Sequence, residues 1–385
     1  MDFGLTKKQQ TLKDSVRTFC EKEFDPDHAL ELDKKETFPM ELYRKAAKQG
    51  FSSLFIPKKY GGREEGYLAF CLAMEEMCRA DSSLGLACMI GTFGSDMLLL
   101  KGTESQKNIY LPHLCRGDSV SAAAFTEPTR GTDISTVDTT AIKCEKEWII
   151  NGTKTLITNA PIADFFKVLC QTGSRETPRK SQSLFIVNKE AQGITVTKLL
   201  NKMGIRCVTT GKVSFEDVKV SENCLLGKLN NGFSHSMEFF TLGRTAIAAQ
   251  ALGTAQGALE IALKYAQKRE SAGQPIVRFQ QIGTKLAQAA SEIEATRLLT
   301  YKAAWTIDQN NVDPMLTSMA KLYASSVAVK ATDIAIQTLG GFGYMGDYKV
   351  ERAYRDAKVT EIYEGTSEIQ RLTILKQLIK QHHPC

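Results

Sequence analysis

The sequence has no Cys-x-x-Cys pair and no His/Cys cluster at metal-ligand spacing, although its 385 residues include ten cysteines and five histidines. That argues against a structural or catalytic metal centre. His28, His113, His235, His382 and His383 are scattered or terminal, so no Ser/His/Asp arrangement is readable either. Unclustered cysteines suit reduced thiols in a cytoplasmic protein. The opening MDFGLTKKQQ lacks a charged-then-apolar leader and an Arg/Ser-rich transit segment. No apolar run approaches the roughly 18 residues that suggest a membrane span. A soluble, cytosolic chain is the expectation. Charge is not concentrated in one region: 49 Lys and Arg against 43 Asp and Glu leave +6, spread along the chain rather than gathered in a basic arm. A dedicated nucleic-acid binder is therefore not expected, while local patches that hold phosphate remain open. Internal repeats and low-complexity tracts are absent too.

What is present is length for two or three domains and a change of texture that divides the chain. From Leu5 to about Leu114 apolar residues recur at three and four, as in Leu12, Val16, Phe19 and Cys20 or Leu42, Ala46 and Ala47. PKKYGG at 57–62 breaks this pattern, and RADSSLG interrupts the Ala- and Leu-rich stretch from Tyr67 to Leu100. Between about Ser119 and Gly232 come short β-branched and aromatic runs, EWIINGTKTLITN, DFFKVLCQ, SLFIVN, ITVTKLL and GKVSFEDVKV, and the Asn-Gly of ING at 150–152 reads as a hairpin turn. Helical periodicity then returns over Leu242–Arg269, Ile276–Asp308, Pro314–Leu339 and Ser367–Gln381, with small residues along TAIAAQALGTAQGALEIAL suited to close helix packing. The reading is mainly α with a central β domain: helices over 1–118, strands over 119–232 and a helical bundle over 233–385.

One acidic residue stands out. In EIYEGTSEIQR, 361–371, Glu364 precedes a glycine that can take backbone angles closed to other residues, and Ser367 with Gln370 fits an S-x-x-Q capping box for the last helix. Glu364 is either a general base turned toward a neighbouring site or a solvated carboxylate near a helix N-terminus. The polar turn FTEPTRGTD, 125–133, offers Thr126, Gly131, Thr132 and Asp133 to a phosphate or a heterocycle edge, or is simply a turn. QTLGGFGY, 337–344, lacks the G-x-G-x-x-G spacing and follows a helical stretch, which argues against a nicotinamide Rossmann site.

Taken together, AAFTEPTRGTD, NGTKTLITN, KMGIRCVTTGKVSFEDVKV, LGGFGY, RDAKVTEIYEGTSEIQ and the opening MDFGLTKKQQ resemble, in order and over essentially the whole chain, the acyl-CoA dehydrogenase family. The resemblance implies an N-terminal helical domain, a β-barrel middle domain and a C-terminal four-helix bundle, assembled as a homotetramer with one FAD per subunit. It implies that Glu364 takes the pro-R α-proton of an acyl-CoA thioester while the β-hydrogen leaves as hydride to flavin N5. The enolate oxygen would be held by the flavin ribityl 2′-hydroxyl and the Glu364 backbone N–H, since hydrogen bonds aimed at the developing charge make so weak a carbon acid reactive. Burial beside an apolar acyl chain should raise the carboxyl pKa and make it a stronger base. By the same resemblance Phe125 and Thr126 meet the pyrimidine edge of the flavin, Thr158 lies near N5, and Thr132 touches pyrophosphate and CoA. Arg269, Phe279, Gln280 and Gln337 to Gly341, including Gly340, reach the adenine half of FAD from a neighbouring subunit. Thr366 and Glu368 complete the dinucleotide pocket. Arg244 lies beside the CoA chain and the base, its other reading being an interhelical ion pair; Thr241 and Gly365 complete the substrate contacts.

Several positions depart from the family pattern. Leu156 replaces the Trp or Phe that packs on the flavin, Thr241 and Leu242 replace an Asp and Gly before the GR pair, and ESAGQP at 270–275 lacks a usual Phe. Gly85 stands where a glutaryl-CoA enzyme carries its substrate arginine, and Gly243 stands where isovaleryl-type enzymes carry the base. The small residues Gly85, Ala87, Gly91 and Gly94, with Leu156, leave breadth for a short, branched or alicyclic acyl group, or else reflect close helix packing; Asp96 is a further ionisable group in that segment. Electron-transferring flavoprotein is the implied electron partner. The rival readings are an enoyl-CoA reductase, the same reaction reversed, and a non-catalytic flavoprotein subunit on the same fold.

Overall fold

The computed structural model describes residues 4–382, so Met1 to Phe3 of the opening motif, His383 and Cys385 lie outside the described residues. The chain starts with helices α1 (Lys7–Glu23), α2 (Pro26–Lys35), α3 (Met40–Lys48), α4 (Tyr67–Ala80), α5 (Ser82–Ile90), α6 (Ser95–Lys101) and α7 (Glu104–Arg116). Capping boxes set two of the starts: Thr6 with Gln9 on α1 and Thr103 with Gln106 on α7. Leu12, Val16 and Cys20 are buried together with Ala46 and Ala47, as the three-and-four spacing requires, with Phe19 and Leu42 packed against them. Within RADSSLG the break falls on Asp81, whose carboxylate accepts the Leu84 N–H at 3.0 Å and so starts α5.

Ser82–Lys101 is long and apolar enough by composition to cross a membrane, which the reading of uninterrupted apolar runs did not register. In the fold it is broken between α5 and α6, and 83% of its most apolar window is buried inside the protein.

The β domain comprises β1 (Ser121–Ala124), β2 (Thr140–Cys144), β3 (Glu147–Thr158), β4 (Phe165–Gln171), β5 (Gln182–Asn188), β6 (Ile194–Leu199), β7 (Thr210–Ser221) and β8 (Leu225–Leu226). They form one sheet in the order β6-β7-β3-β2-β4-β5-β8, with β1 parallel to β4. The β2 and β4 halves join at the single pair Thr140 and Gln171. Trp148, Ile150, Val213 and Phe215 from one half bury against Phe166, Val168 and Phe185 from the other. The Asn-Gly at 151–152 is not a hairpin turn. It sits inside β3 at a register shift opposite β7, with Gly152 at φ 146° and its Cβ position only 2.5 Å from Thr139 Oγ1. A bulge needs the same backbone freedom as a tight turn, so the dipeptide alone does not separate the two. The β2–β3 turn falls instead at Glu145, φ 54°, and Lys146.

The C-terminal part consists of α8 (Gly232–Lys268), the short hairpin β9 (Glu270–Ser271) and β10 (Gln274–Pro275), α9 (Gln280–Asp308), α10 (Pro314–Leu339), α11 (Val350–Lys358) and α12 (Ser367–His382). Helix α8 begins ten residues before the Leu242 start expected from periodicity, because Phe239 buries in the core shared with Phe125 and Leu184 while Phe233, Met237 and Phe240 pack against it. Helix α9 starts at Gln280 rather than Ile276, the intervening residues forming a 3-10 turn. Close approach along α8 is real: a Cβ at Gly253 would lie 2.2 Å from Glu75 O, and one at Gly257 2.2 Å from Arg79 O. Helices α8, α9, α10 and α12 make the four-helix bundle, and the strands stand between it and the N-terminal helices in sequence.

Candidate active site

Glu364 lies in the turn between a 3-10 segment, Val359–Glu361, and α12. Its φ is 54° and that of Gly365 is 89°. Only the glycine takes this region freely, so the conformation of Glu364 must be held by its surroundings. Gln370 donates to Gly365 O at 2.7 Å and to Glu364 O at 3.2 Å, and Lys321 Nζ on α10 donates to Gly365 O at 2.7 Å. The expected Ser367 capping box is therefore not formed. Thr366 caps α12 instead, its hydroxyl accepting the Ile369 N–H at 3.4 Å, because the Gln370 amide is engaged in holding the turn.

The Glu364 Oε2 atom is buried with no hydrogen-bond partner. Burial, reinforced by the nearby Asp96, pushes the carboxyl up to about 8 against the opposing pull of Arg244 and Lys321. Arg244, buried on α8, donates to Ser318 Oγ at 3.1 Å and leaves its Nε unpaired. Burial holds its guanidinium below the usual range while Glu364 favours its charge. Lys321 is fully buried and lowered to about 8, also by burial. No local pattern marks Lys321: a lysine in an Ala- and Ser-rich helix reads as surface until its neighbours are known.

Two cavities meet at Glu364. One, about 50 Å³, is lined by Tyr67, Phe70, Met74, Met89, Gly94, Asp96, Phe239 and Gly243. The other, about 80 Å³, is lined by Thr158, Lys202, Ile205, Val208, Thr210, Val359 and Tyr363. Leu86, Ile90, Phe93, Ile247 and Glu364 line both. The breadth attributed to small residues at 85–91 is not there. A Cβ at Gly85 would lie 2.5 Å from the Met77 carbonyl carbon and one at Gly91 2.2 Å from the Tyr43 ring, so both serve packing; Ala87 and Leu156 line neither cavity.

The β-domain residues gather at one end of β3. Glu127 and Lys154, both buried, pair at 2.9 Å, and the Glu127 carboxylate also accepts the N–H groups of Asp138 and Thr139. Lys154 further donates to Phe125 O at 3.0 Å, which fixes the turn carrying Phe125 and Thr126. Nothing local singles out this pair, since Glu127 lies within the polar turn FTEPTRGTD and Lys154 within a β run. Thr155 N–H donates to Thr126 O at 2.9 Å; beyond it a bulge turns Leu156 outward, φ 55° and 65% exposed, while Thr158 reaches the second cavity. Thr132 is exposed and Thr241 is half-buried, its hydroxyl donating to Met237 O.

A third cleft, about 510 Å³, brings together Arg269, Gly340 and Gly341 with Tyr265 and Phe342, and shares no lining residue with the cavities at Glu364. Gln337 and Gln280 are exposed and Phe279 is half-buried at the start of α9. Glu368 is exposed on α12. These residues suit a flavin dinucleotide. Glu364, with its unpartnered carboxylate oxygen, and Thr158 line the same cavity, and the Cβ positions of Gly131, Gly340 and Gly341 have nothing within 4 Å, which leaves room for a ligand at both turns.

Comparison with known proteins agrees along the whole chain. Residues 6–118, 122–218 and 230–379 match the family models for the acyl-CoA dehydrogenase N-terminal, middle and C-terminal domains. The chain is 41% identical to the probable acyl-CoA dehydrogenase YngJ of Bacillus subtilis, covering 99% of this chain and 100% of that one. It is 37% identical to the caffeyl-CoA reductase-Etf complex subunit CarC of Acetobacterium woodii, over 98% of this chain and 99% of that one. The butyryl-CoA dehydrogenase structure from Megasphaera elsdenii superimposes with a TM-score of 0.95 at 35% identity, over 98% of this chain and 100% of that one. With all three domains matched in order, the chain belongs to the acyl-CoA dehydrogenase family and is an oxidoreductase of the flavoprotein type.

Proposed function

We propose that the protein carries out flavin-dependent α,β-dehydrogenation of an acyl-CoA thioester to the 2-enoyl-CoA, with Glu364 as the base that takes the α-proton. The observation that carries this reading is the buried, unpartnered Glu364 Oε2 at the junction of two cavities. A carboxyl raised to about 8 is a far better proton acceptor than one in water, and the apolar walls of Leu86, Ile90, Phe93 and Ile247 exclude the water that would level it. Arg244 and Lys321 keep the ionised form accessible, and Lys321 with Gln370 holds the turn so that the carboxyl stays aimed. The Glu364 N–H is the donor for the thioester oxygen, with Thr132, Thr241 and Gly365 along the CoA arm.

Phe125, Thr126, Thr132, Leu156, Thr158, Thr366 and Glu368 would hold FAD in one protomer. Arg269, Phe279, Gln280, Gln337, Gly340 and Gly341 would reach it from another copy in a homotetramer, which suits the separate cleft that holds Arg269, Gly340 and Gly341. When bound, FAD supplies the hydride acceptor. Electron-transferring flavoprotein is the partner this reading requires, and the name of the Acetobacterium relative supports it. That name also favours the reverse direction, enoyl-CoA reduction, as the second reading.

The test is anaerobic titration of the yellow holoenzyme with straight-chain, branched and cyclohexane-type acyl-CoA esters. Bleaching by at least one ester is expected, and Glu364→Gln should keep the flavin and lose the bleaching. Purified protein that takes up no FAD, or a Glu364→Gln variant that bleaches like the parent, overturns the proposal. Reoxidation by a flavoprotein partner rather than by oxygen separates dehydrogenase from oxidase.

A further inference from the structure

Asp96 is the anomaly in the smaller cavity. Phe70, Met74, Leu86, Met89, Ile90, Phe93 and Phe239 give that cavity apolar walls, yet Asp96 lines it with Glu364 and is only 8% exposed. A buried carboxyl without full pairing is costly, and the protein does little to pair this one. Its Oδ1 accepts the Met97 N–H at 3.1 Å. The nearest buried cation, Lys167, spends its hydrogen bond elsewhere, donating to Phe93 O at 2.6 Å, and among the described residues forms no ion pair with Asp96 within 4.0 Å. Lys167 also lies over the Phe165 ring and would be 2.9 Å from a Cβ on Gly94. Asp96, on the first turn of α6, thus lines the cavity while Lys167 braces the preceding turn at Phe93 and Gly94.

A mainly apolar pocket with a few polar groups, here Asp96 with Thr92, Ser95 and Glu364, is how a site selects a substrate that carries the complementary group. Burial lowers the Lys167 amine to about 7 while Asp96 favours its charge, so a cationic substituent would compete with Lys167 for the carboxylate and a neutral donor would not. Resting on the reading that the acyl chain lies in the cavity below Glu364, we infer that Asp96 is a specificity-determining residue that accepts a hydrogen bond from a hydroxyl on the acyl group. The substrate class is then hydroxylated acyl-CoA esters, aliphatic or aromatic, rather than plain alkanoyl esters. A site built around a hydrogen bond discriminates strongly against an analogue that lacks the donor, because the protein group is left buried and unpaired.

The experiment compares matched pairs on the holoenzyme: butyryl- with 4-hydroxybutyryl-CoA, pentanoyl- with 5-hydroxypentanoyl-CoA, and 3-phenylpropionyl- with 3-(4-hydroxyphenyl)propionyl-CoA. In at least one pair the hydroxylated ester should have a kcat/KM at least tenfold higher. Asp96→Ala should reverse or abolish that ratio, while Asp96→Asn, which keeps an acceptor and the shape, should retain part of it. A merely structural role for Asp96 would lower both members of a pair equally and leave the ratio unchanged, which overturns the inference. So does equal or better turnover of every plain ester by the parent enzyme, an outcome that leaves Glu364 as the base untouched. If no ester of any pair bleaches the flavin, this inference falls, while the base assignment is decided separately by Glu364→Gln on the branched and cyclohexane-type esters.

Discussion

A Cβ placed on Gly243 would lie 2.6 Å from Glu364 Oε2. The bundle helix and the turn before α12 thus present their chains to the same small volume, and only one of the two positions can carry a side chain into it. Gly243→Ala should therefore displace the carboxyl without disturbing α8, where alanine is the better helix former. The expected outcome is a loss of about ten- to a hundredfold in kcat/KM, the scale of a small misplacement of a catalytic group, with the melting temperature unchanged or slightly higher. Steady-state kinetics beside thermal unfolding checks it.

The raised carboxyl gives the reaction a pH dependence of defined sign. With Glu364 as the proposed base, dehydrogenation needs it ionised, so kcat/KM should climb as pH rises toward about 8 and level off above it. The reverse reduction needs the protonated acid and should fall across the same range. In stability terms the folded state keeps a proton that the unfolded carboxyl, near 4.5, has released. The contribution of Glu364 is thus fully present below about 4.5 and lost as pH rises through about 8. Glu364→Gln should unfold at a higher temperature than the parent at pH 8.5 and differ little at pH 4.5, by paired thermal melts.

Lys321 acts on Glu364 twice, through its 2.7 Å bond to Gly365 O and through its charge. Lys321→Met removes both. Loss of the cation should move the Glu364 carboxyl higher still, so the rising limb of the pH profile shifts to higher pH. Loss of the hydrogen bond should loosen the turn and lower kcat at the plateau. A variant with lower kcat but an unmoved profile would show that the lysine serves the turn alone.

The parts of this fold readable from the residues were those written in local periodicity. Leu12, Val16 and Cys20 mark the buried face of α1, and Pro314 with the Asp313 cap marks the start of α10. Glu364 stood out because a glycine follows it. What local pattern cannot encode is which distant element a side chain meets. Ser367 and Gln370 spell a capping box, yet Gln370 is drawn to the carbonyls of Glu364 and Gly365. Gly85 and Gly91 look like room for substrate until Met77 and Tyr43 are found against them. Lys154, Lys167 and Lys321 are lysines in the chain and buried in the fold.

Helix α11 is the clamp that keeps the three parts of the chain in register around the site. Its Arg352, 3% exposed, pairs with the buried Asp81 between α4 and α5; Asp356 accepts the Ile205 N–H at 2.5 Å; and Arg355 meets Asp33 at 3.1 Å and donates to Met203 O at 2.9 Å. These contacts differ in worth. Arg352→Met leaves the Asp81 carboxylate buried without its partner, which should cost about 3–5 kcal/mol. Arg355→Met likewise leaves the buried Asp33 carboxylate without its partner, but from an arginine that water already reaches, so a cost at the lower end, about 3 kcal/mol, is expected. Adding Asp81→Asn to Arg352→Met should recover part of the loss, because asparagine keeps the cap on α5 and carries no charge to bury. Urea unfolding of the three variants checks the order, and none should change the pH profile of turnover, since none of Asp81, Arg352 and Arg355 lines the cavities at Glu364.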